Sequence, residues 1–401
     1  MSRIHHLCVR GILIALIVLE LTSGCASPPT IERAGVEYDR AVTNVIIEQL
    51  LLNIARQRHH HPIHFTVVSN VAATFDFRMN AGIGHRLLEE PGLHLVPILG
   101  GTIAENPTIS IVPVEGEEFT KRLLTPMDET KFYFLARQGV DLSVLLRLLA
   151  RDFWTEGIEG EQVFVNSPRE KSQYEEFRRR VLHLEALRVA SKLYAEPLVF
   201  EKTWEMPLNS PEAFQALEKG YQVTHNVKGG TYLLRKQVTG RVVITNYDPS
   251  LLSNEIRYHL NQEANKYSTN QVLVDIRPGY PGGDYPFHGG FRLRSFNAIL
   301  AFIARGIDEE VEFAVEPDPR TGPTLQNPAK SLEILETERR PAGQAFGVKY
   351  KDWFYSLKDA AVEDKAAARW NLDSFRVLYQ LFQMTVTDVS KTLVPGITIA
   401  K

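Results

Sequence analysis

Residues 65–79 alternate between apolar and polar side chains almost without interruption. Side chains alternate between the two faces of a β-strand, so this pattern predicts one long strand with an apolar face. Fifteen residues span about 50 Å at ~3.3 Å per residue, which exceeds an ordinary strand in a globular protein. A second extended segment over residues 93–112 completes a long amphipathic β-hairpin. The apolar set is Phe65, Val67, Val71, Ala73, Phe75, Phe77 and Met79, broken by Ser69.

Two roles of this hairpin stay open from the sequence. The hairpin can cover the core of its own domain, or each protomer of a ring can contribute it to a shared membrane-spanning sheet with its apolar side toward lipid. Residues 92–101 contain His94 and Pro97 and lack an aromatic girdle. That composition favours the first role, because proline interrupts a strand and membrane-spanning strands end in aromatic residues.

Four histidines lie between the hairpin and a broadly apolar helix predicted over residues 38–57. His59, His60 and His61 are consecutive and therefore point in different directions, whereas metal ligands on a helix are three or four positions apart. Polar and basic residues at the carboxyl end of a helix interact favourably with its dipole without any metal. We therefore predict no metal site and no cofactor; the alternative is a site built from His59, His61 and His64.

The amino-terminal residues are typical of an export signal. Arg3 and Arg10 precede the apolar residues 11–19, a run too short to span a bilayer as a helix. The segment ends in Leu-Thr-Ser-Gly-Cys, which resembles the bacterial lipobox, in which the cysteine is lipidated and becomes the new amino terminus. This predicts a signal peptide over residues 1–24 and a lipid on Cys25.

We expect residues 25–35 to form a lipidated tether that holds the chain at the outer membrane, facing the periplasm. Ala26 follows the cysteine in place of the aspartate that commonly retains lipoproteins at the inner membrane. Cys8, the other cysteine of the chain, lies in the predicted signal peptide. The mature chain would then contain no free thiol, which excludes disulfide bonds, thiol catalysis and a cysteine-ligated zinc.

The charge of the chain argues against a nucleic-acid partner. The 45 basic and 48 acidic residues give a net charge of −3, and the sequence contains no long block of lysine and arginine. Phosphate backbones are bound by concentrated positive charge. The expected partners are the membrane, through the lipid anchor, and proteins or further copies of this chain.

The remaining residues predict an α+β fold of modular strand and helix layers that follows the amino-terminal helix and hairpin. Within it the patterns predict a strand over residues 131–137, a helix over 141–152 capped by Asp141, and a helix to about residue 194 that opens with a capping box at Ser167. The further predicted elements are helices over residues 210–219 and 295–305, a strand over 271–276, a linker over 316–328, a hairpin of FGVKY and WFYSL, and a strand over 392–400. The predicted domains are residues 36–115 with the helix and hairpin, α+β modules over 116–209 and 210–315, and a hairpin, helix and strand over 316–401.

A segment rich in glycine and proline, residues 277–290, contains the best candidate for a binding site. Arg277, Asp284, Tyr285 and His288 lie among its glycines, and loops on a rigid scaffold commonly carry binding groups. The alternative is a rigid turn in which Asp284 bonds its own backbone and the aromatic rings pack. We find none of the short catalytic, phosphate-binding or calcium-binding motifs in the sequence.

Several segments of the chain are characteristic in combination: the lipobox-like start, YDRAV, EQLLLNIARQRHHHPIHF, NPTISIVPVEGEEFTKRLLTP, RLRSFNAILAFIARG and FGVKYKDWFYSL. Together they resemble a family of bacterial envelope lipoproteins that has no assigned activity. The resemblance covers most of the mature chain and assigns no site residue. The lipid anchor, the modular α+β layout and the missing catalytic motifs favour an envelope lipoprotein at the outer membrane with a structural, assembly or protein-interaction role, for which an oligomer is one possible form. The alternative is an envelope hydrolase or glycan-processing enzyme that uses the 277–290 loop.

Overall fold

The computed structural model describes most of the chain after the predicted signal peptide. Cys25, the strand predicted over residues 392–400 and most of the helix predicted over 210–219 lie outside the described residues. The described residues are 27–85, 95–157, 160–208, 215, 217–226, 229–341, 346–358 and 365–386.

The predicted α+β class is confirmed, since the described residues form eight α-helices and three β-sheets. They divide into two compact units. One unit contains residues 27–49 and 64–115, and the other contains residues 50–63 and 116–386.

The first unit contains the long hairpin predicted from the alternating residues. Helix α1 (Ser27–Arg58) begins inside the segment predicted as a tether and continues into the second unit. Strands β1 (Phe65–His85) and β2 (Leu95–Val114) are antiparallel, with a bulge near the start of β1. The Gln49 side chain donates to Thr66 Oγ1 at 2.7 Å and accepts from the Thr66 amide at 3.0 Å, which fixes the start of β1 to α1.

The second unit contains ten strands in two sheets. The strands are β3 (Ala150–Gly157), β4 (Gly160–Val165), β5 (Tyr194–Pro207), β6 (Gln222–Asn226), β7 (Thr231–Thr245), β8 (Gln271–Ile276), β9 (Phe287–Leu293), β10 (Ile334–Thr337), β11 (Gly347–Tyr350) and β12 (Trp353–Leu357). The larger sheet has seven strands in the order β4-β3-β9-β8-β7-β5, with β6 also paired to β7. Every pairing in it is antiparallel except β7 with β8. The smaller sheet has the order β10-β12-β11 and contains the predicted hairpin of FGVKY and WFYSL.

Helices cover both faces of the seven-stranded sheet. Phe153 and Trp154 are neighbours on β3, so their side chains point to opposite faces. On one face Phe153 packs on Phe291, which also contacts Phe177 of α5. On the other face Trp154 belongs to a buried cluster that contains Leu260 of α6. The helices are α2 (Glu117–Leu124), α3 (Glu129–Arg137), α4 (Leu142–Leu149), α5 (Lys171–Val189), α6 (Asn254–Ala264), α7 (Phe296–Arg305) and α8 (Lys365–Val386).

The strand predicted over residues 131–137 is wrong, because this segment is helix α3. Asp128 caps the helix by accepting from the Lys131 amide at 2.9 Å. Phe132 and Leu135, three residues apart, are both buried, which is the spacing of one helix face. The short apolar run satisfied both periods, and the cap decides between them.

Two predicted helices have different ends in the structure. The helix predicted over residues 141–152 has the expected Asp141 cap but ends at Leu149, because Ala150 begins β3. The predicted capping box at Ser167 is wrong, since the Ser167 hydroxyl donates to Glu310 at 2.8 Å and α5 begins at Lys171. Helix α5 also ends at Val189, five residues before β5 begins.

Candidate functional site

The segment predicted as a binding loop is divided between a turn and a strand. Strand β8 ends at Ile276 and β9 begins at Phe287, so His288 lies on a strand and not in a loop. The turn itself is held by Asn246, which follows β7. The Asn246 side chain accepts from the Arg277 amide at 2.9 Å and donates to the carbonyls of Arg277 and Pro281 at 2.9 and 3.0 Å.

Close packing also restricts this turn. Gly282 has a φ of +72°, and a Cβ there would lie 2.4 Å from Leu187 Cδ2. Both the left-handed backbone and the contact with α5 therefore require glycine. His183 Nε2 donates to the Gly282 carbonyl at 3.0 Å. Asn246 and α5 thus hold this turn from outside.

Asp275, at the end of β8, is the centre of a polar cluster that includes two of the predicted residues. Arg277 donates to its Oδ2 through Nε at 2.7 Å, and the Tyr247 hydroxyl donates to the same oxygen at 2.6 Å. His288 Nδ1 lies 3.1 Å from Oδ1. Burial alone would raise the pKa of Asp275, but the hydrogen bonds from His288, Tyr247 and Arg277 outweigh it and hold the pKa below its ordinary value.

His288 is bound by carboxylates at both ring nitrogens. Its Nε2 lies 2.5 Å from Oε1 of Glu263 on α6, while Nδ1 faces Asp275. The hydrogen bonds to Asp275 and then Glu263 raise the pKa of His288 to about 10. At neutral pH the ring is therefore an imidazolium that connects β9, β8 and α6. A general base needs a ring nitrogen that is neutral and not already bonded to a carboxylate. The His288 ring is charged, and both of its nitrogens face carboxylates.

The other two predicted residues belong to a different part of the surface. Tyr285 is buried against the rings of His183 and Phe287, and the Arg320 guanidinium lies 4.2 Å from its ring centroid. Asp284 lines an open, mainly apolar cavity of about 340 Å³. Arg277 and His288 thus share one carboxylate, whereas Asp284 and Tyr285 lie beside residues of α5 and the segment around Arg320.

The histidines after α1 contact residues of the same compact unit. His59 Nε2 lies 2.8 Å from the Tyr355 hydroxyl, His61 Nδ1 lies 2.5 Å from the Tyr350 hydroxyl, and His60 Nε2 is 4.0 Å from Glu309. The rings of His59 and His61 lie 6.3 Å apart, and both lie beside the ring of Tyr350. Within the described residues, no three histidine, cysteine or acidic side chains are grouped to hold a metal ion. The histidines thus connect the end of α1 to other residues of that unit.

A buried ionic network near α4 and α5 was not predicted. The carboxylate of Glu312 lies 3.3 Å from Arg147 Nη2, and it accepts hydrogen bonds from the Tyr174 hydroxyl at 2.9 Å and the Ser331 amide at 2.5 Å. Burial would raise the pKa of Glu312, but the charges of Arg147 and Arg178 hold it below its ordinary value. A lone arginine in the apolar run LSVLLRLLA was the available signal, because a buried charge requires a partner.

The segment predicted as a linker over residues 316–328 is in part an element of this network. The carbonyl of Pro328 accepts from Arg147 Nη1 at 2.9 Å, and the Asn327 side chain accepts from Arg178 Nη2 at 2.9 Å. Both arginine side chains are fully buried. The network holds this irregular segment against α4 and α5 and offers no group to a ligand from outside.

Comparisons with known proteins identify no relative of this chain. No family model, no curated protein and no solved structure matches the chain. In the part of the chain that the structure describes, no helix combines the length and the apolar character needed to cross a membrane.

Proposed function

We propose that this chain is a lipoprotein of the bacterial cell envelope, anchored to the outer membrane through a lipid on Cys25, with an assembly role in which its partner is a second copy of itself. The Leu-Thr-Ser-Gly-Cys sequence after a short apolar run supports the anchor. Lipoproteins that carry several fatty chains are held stably at a membrane, whereas one chain binds only marginally. The hairpin supports the assembly role.

The observation that carries the assembly role is the open edge on each side of the hairpin. Strands β1 and β2 contain 21 and 20 residues and pair from Phe65 with Val114 to His85 with Leu95. Neither strand pairs with a third strand among the described residues. Beyond Thr66, whose amide is bonded to Gln49, each outer edge therefore has no third strand paired to it among the described residues, over roughly 60 Å at about 3.3 Å per residue.

A second copy of the same hairpin fits these edges better than an unrelated strand. The two strands are nearly equal in length, so β2 of one copy can pair with β1 of the next along its whole edge. Such a contact joins two different surfaces and repeats from copy to copy, and it closes when the rotation between copies completes a ring. An isolated two-stranded sheet is marginally stable in water, and added strands stabilise it.

The alternative function, a hydrolase or glycan-processing enzyme that uses residues 277–290, has less support from the geometry. Acid–base chemistry there would depend on His288, whose two ring nitrogens are both occupied by carboxylates. The other candidates, Asp284 and Tyr285, do not join that cluster. We therefore assign the Asp275 cluster a structural role in connecting β8, β9 and α6.

The anchor is tested by replacing Cys25 with serine and separating membranes from the soluble fraction after a high-salt wash. We expect the wild-type chain to sediment with the outer membrane and the Cys25→Ser chain to leave it, because the lipid supplies the attachment. Cys8→Ser is the matched control and should not change the distribution. Retention of Cys25→Ser in the washed outer membrane would contradict the anchor.

The self-association is tested on the full wild-type chain extracted in mild detergent. Sedimentation velocity should show a discrete oligomer of one size across a dilution series. A monomer at every concentration, with the lipid present, would contradict an assembly role with a second copy as partner.

A further inference from the structure

An open polar groove of about 520 Å³ lies where β5 and β7 meet the start of α6 and the turn before β6. Its lining includes Phe200, Gln222 and Asn254. The Asn254 side chain fixes one wall, since it accepts from the Glu201 amide at 2.6 Å and donates to the Glu201 carbonyl at 2.8 Å. The groove is thus a built feature of one compact unit, and nothing about it depends on the hairpin.

Positive charge is concentrated at this groove. Arg235, Lys236 and Arg257 line it, against one carboxylate, Glu201, among the described lining residues. Lys202 lies directly opposite Lys236 in the pairing of β5 with β7. Like charges that face each other across two strands are destabilising, so an anion between them would be favourable.

The cations of the groove differ from those in the rest of the sheet. Arg241 is paired with Glu129, and Arg292 with Asp152 and Glu161. Among the described residues, no ion pair with a carboxylate is formed by the three cations that line the groove, Arg235, Lys236 and Arg257, or by Lys202, which lies opposite Lys236.

Two of the cations are held in place by neutral groups. Arg257 Nη1 donates to the Ser250 carbonyl at 3.1 Å, and Lys236 Nζ donates to the Lys219 carbonyl at 3.0 Å. A guanidinium has five N–H donors and an ammonium has three, so each keeps donors for a ligand. Pre-positioned cations bind an anion at a lower cost in side-chain entropy than mobile ones.

An aromatic platform adjoins the cations. The Tyr221 ring lies 4.9 Å from Lys236 Nζ and 5.1 Å from the ring of Trp204. Trp204 is 43% exposed, whereas Trp154 and Trp370 are buried. Trp204 pairs with Leu234, which lies two residues before Lys236 on β7. Paired residues share a face of the sheet, and so do residues two apart on one strand, so Trp204 and Lys236 lie on the same face. An exposed indole beside a polar groove suits a ligand with one apolar and one polar side.

We propose that this groove binds an anionic saccharide, with Lys236 and Arg257 on its carboxylate or phosphate group and Trp204 against the apolar C–H face of a sugar ring. A single inorganic phosphate would leave most of a 520 Å³ groove empty. A nucleic acid is disfavoured, because three lining cations are too few for an extended basic stripe and the chain has a net charge of −3. An envelope location offers anionic saccharides of two kinds, carboxylated glycans and phosphorylated sugars of lipid headgroups.

The test is calorimetric titration of the full chain in detergent with five probes. The anionic probes are a disaccharide containing N-acetylmuramic acid and a glucosamine disaccharide phosphate, which separate the carboxylate source from the phosphate source. The comparison probes are neutral diacetylchitobiose, inorganic phosphate and a short oligothymidylate. We expect one anionic disaccharide to bind at least about tenfold more tightly than the three comparison probes, with an affinity that falls as sodium chloride is raised.

Variants then locate the binding. Lys236→Gln and Arg257→Gln should each weaken binding of that disaccharide about tenfold or more, since each removes a charge-assisted hydrogen bond. Trp204→Ala should weaken binding of the disaccharide and leave binding of inorganic phosphate unchanged. Lys349→Gln, which removes an exposed charge from β11, is the matched control and should have no effect. Unchanged melting temperatures confirm that the variants fold.

Three results would overturn the proposal. The first is the absence of binding by both anionic disaccharides at millimolar concentration. The second is binding that Lys236→Gln and Arg257→Gln leave unchanged. The third is binding of inorganic phosphate or oligothymidylate as tight as that of the saccharide, with no effect of Trp204→Ala.

Discussion

At the scale of single residues, His288 makes the stability of the chain depend on pH. Its pKa is raised to about 10 in the folded chain, whereas an unfolded histidine has a pKa of about 6.5. The folded state therefore binds more protons between these two values, and the contribution of His288 is complete below about pH 6.5 and is lost as the pH rises through 10. Glu263 and Asp275 are the carboxylates that face the ring.

We predict that His288→Asn lowers the free energy of unfolding by about 1–2 kcal/mol at pH 6, a value reduced by solvent screening because the side chain is 36% exposed. The difference from wild type should shrink as the pH approaches 10. Urea unfolding at pH 6, 8 and 10 measures it. His259→Asn, at an exposed position on the same helix as Glu263, should change little at any pH. A difference that stays constant from pH 6 to 10 would show that the ring acts by packing and not by its charge.

Arg147 supports a second residue-level prediction, which concerns a fully buried charge. Arg147→Met would remove the cation bonded to the carboxylate of Glu312 and one of the donors to the carbonyls of Pro328 and Ala329. Breaking a buried ion pair from one side typically costs about 3–5 kcal/mol. Arg151→Met, four residues along and largely exposed, should cost less than about 1 kcal/mol. Equilibrium denaturation of both variants tests this, and equal losses would contradict a special role for the buried network.

At the scale of helices and strands, the sequence predicted the elements whose period is long and unmixed. The hairpin follows from fifteen alternating residues, and β8 and the helix at Ser295 follow from apolar runs with clear ends. The strand predicted over residues 131–137 is wrong because seven residues whose apolar side chains fit both the strand period and the helix period do not distinguish the two structures. Strand β3 was missed because it follows α4 without any turn residue between Leu149 and Ala150.

The candidate site was predicted less well than the elements, for a physical reason. Asp275 and His288 are thirteen residues apart in the sequence and meet because β8 and β9 are paired neighbours. Glu263 joins them from α6, and Tyr247 from the end of β7. A pattern within one segment contains no information on which segments become neighbours. Only the polar residue at the end of the apolar strand QVLVDI marked the place.

The pairing of β3 with β9 yields a prediction that belongs to these two strands. A Cβ at Gly289 would lie 1.9 Å from the Trp154 carbonyl oxygen, so Gly289→Ala must push the strands apart. We expect a loss of about 1–3 kcal/mol in the free energy of unfolding, the usual range for overpacking. Gly322→Ala is the control, because the nearest atom to its Cβ is 3.9 Å away. Chemical denaturation measures both, and a neutral Gly289→Ala would show that β3 and β9 adjust freely.

At the scale of the whole molecule, three features address different tasks. The proposed lipid on Cys25 sets the location, the open edges of β1 and β2 set the proposed association, and the unit around the seven-stranded sheet supplies rigid, closely tied surfaces. Ionic contacts inside that unit connect its elements: His288 joins β9 to α6, and Glu312 joins its own segment to α4 and α5. A chain organised in this way should lose assembly without losing the fold of its larger unit.

The final prediction tests that separation through Phe75, a member of the apolar set in the alternating residues of β1. If copies associate through the hairpin, Phe75→Arg should abolish the oligomer in detergent and change the melting temperature of the chain by less than about 2 °C. Thr74→Arg introduces the same charge in the polar set and should preserve both properties. Sedimentation velocity measures the oligomer and thermal unfolding measures the melting temperature.

A melting temperature lowered by roughly 5–10 °C in Phe75→Arg alone would mean that the apolar set covers a core within the chain, because a buried unpaired charge costs several kcal/mol. That result would reject the proposed association and restore the first of the two roles open from the sequence.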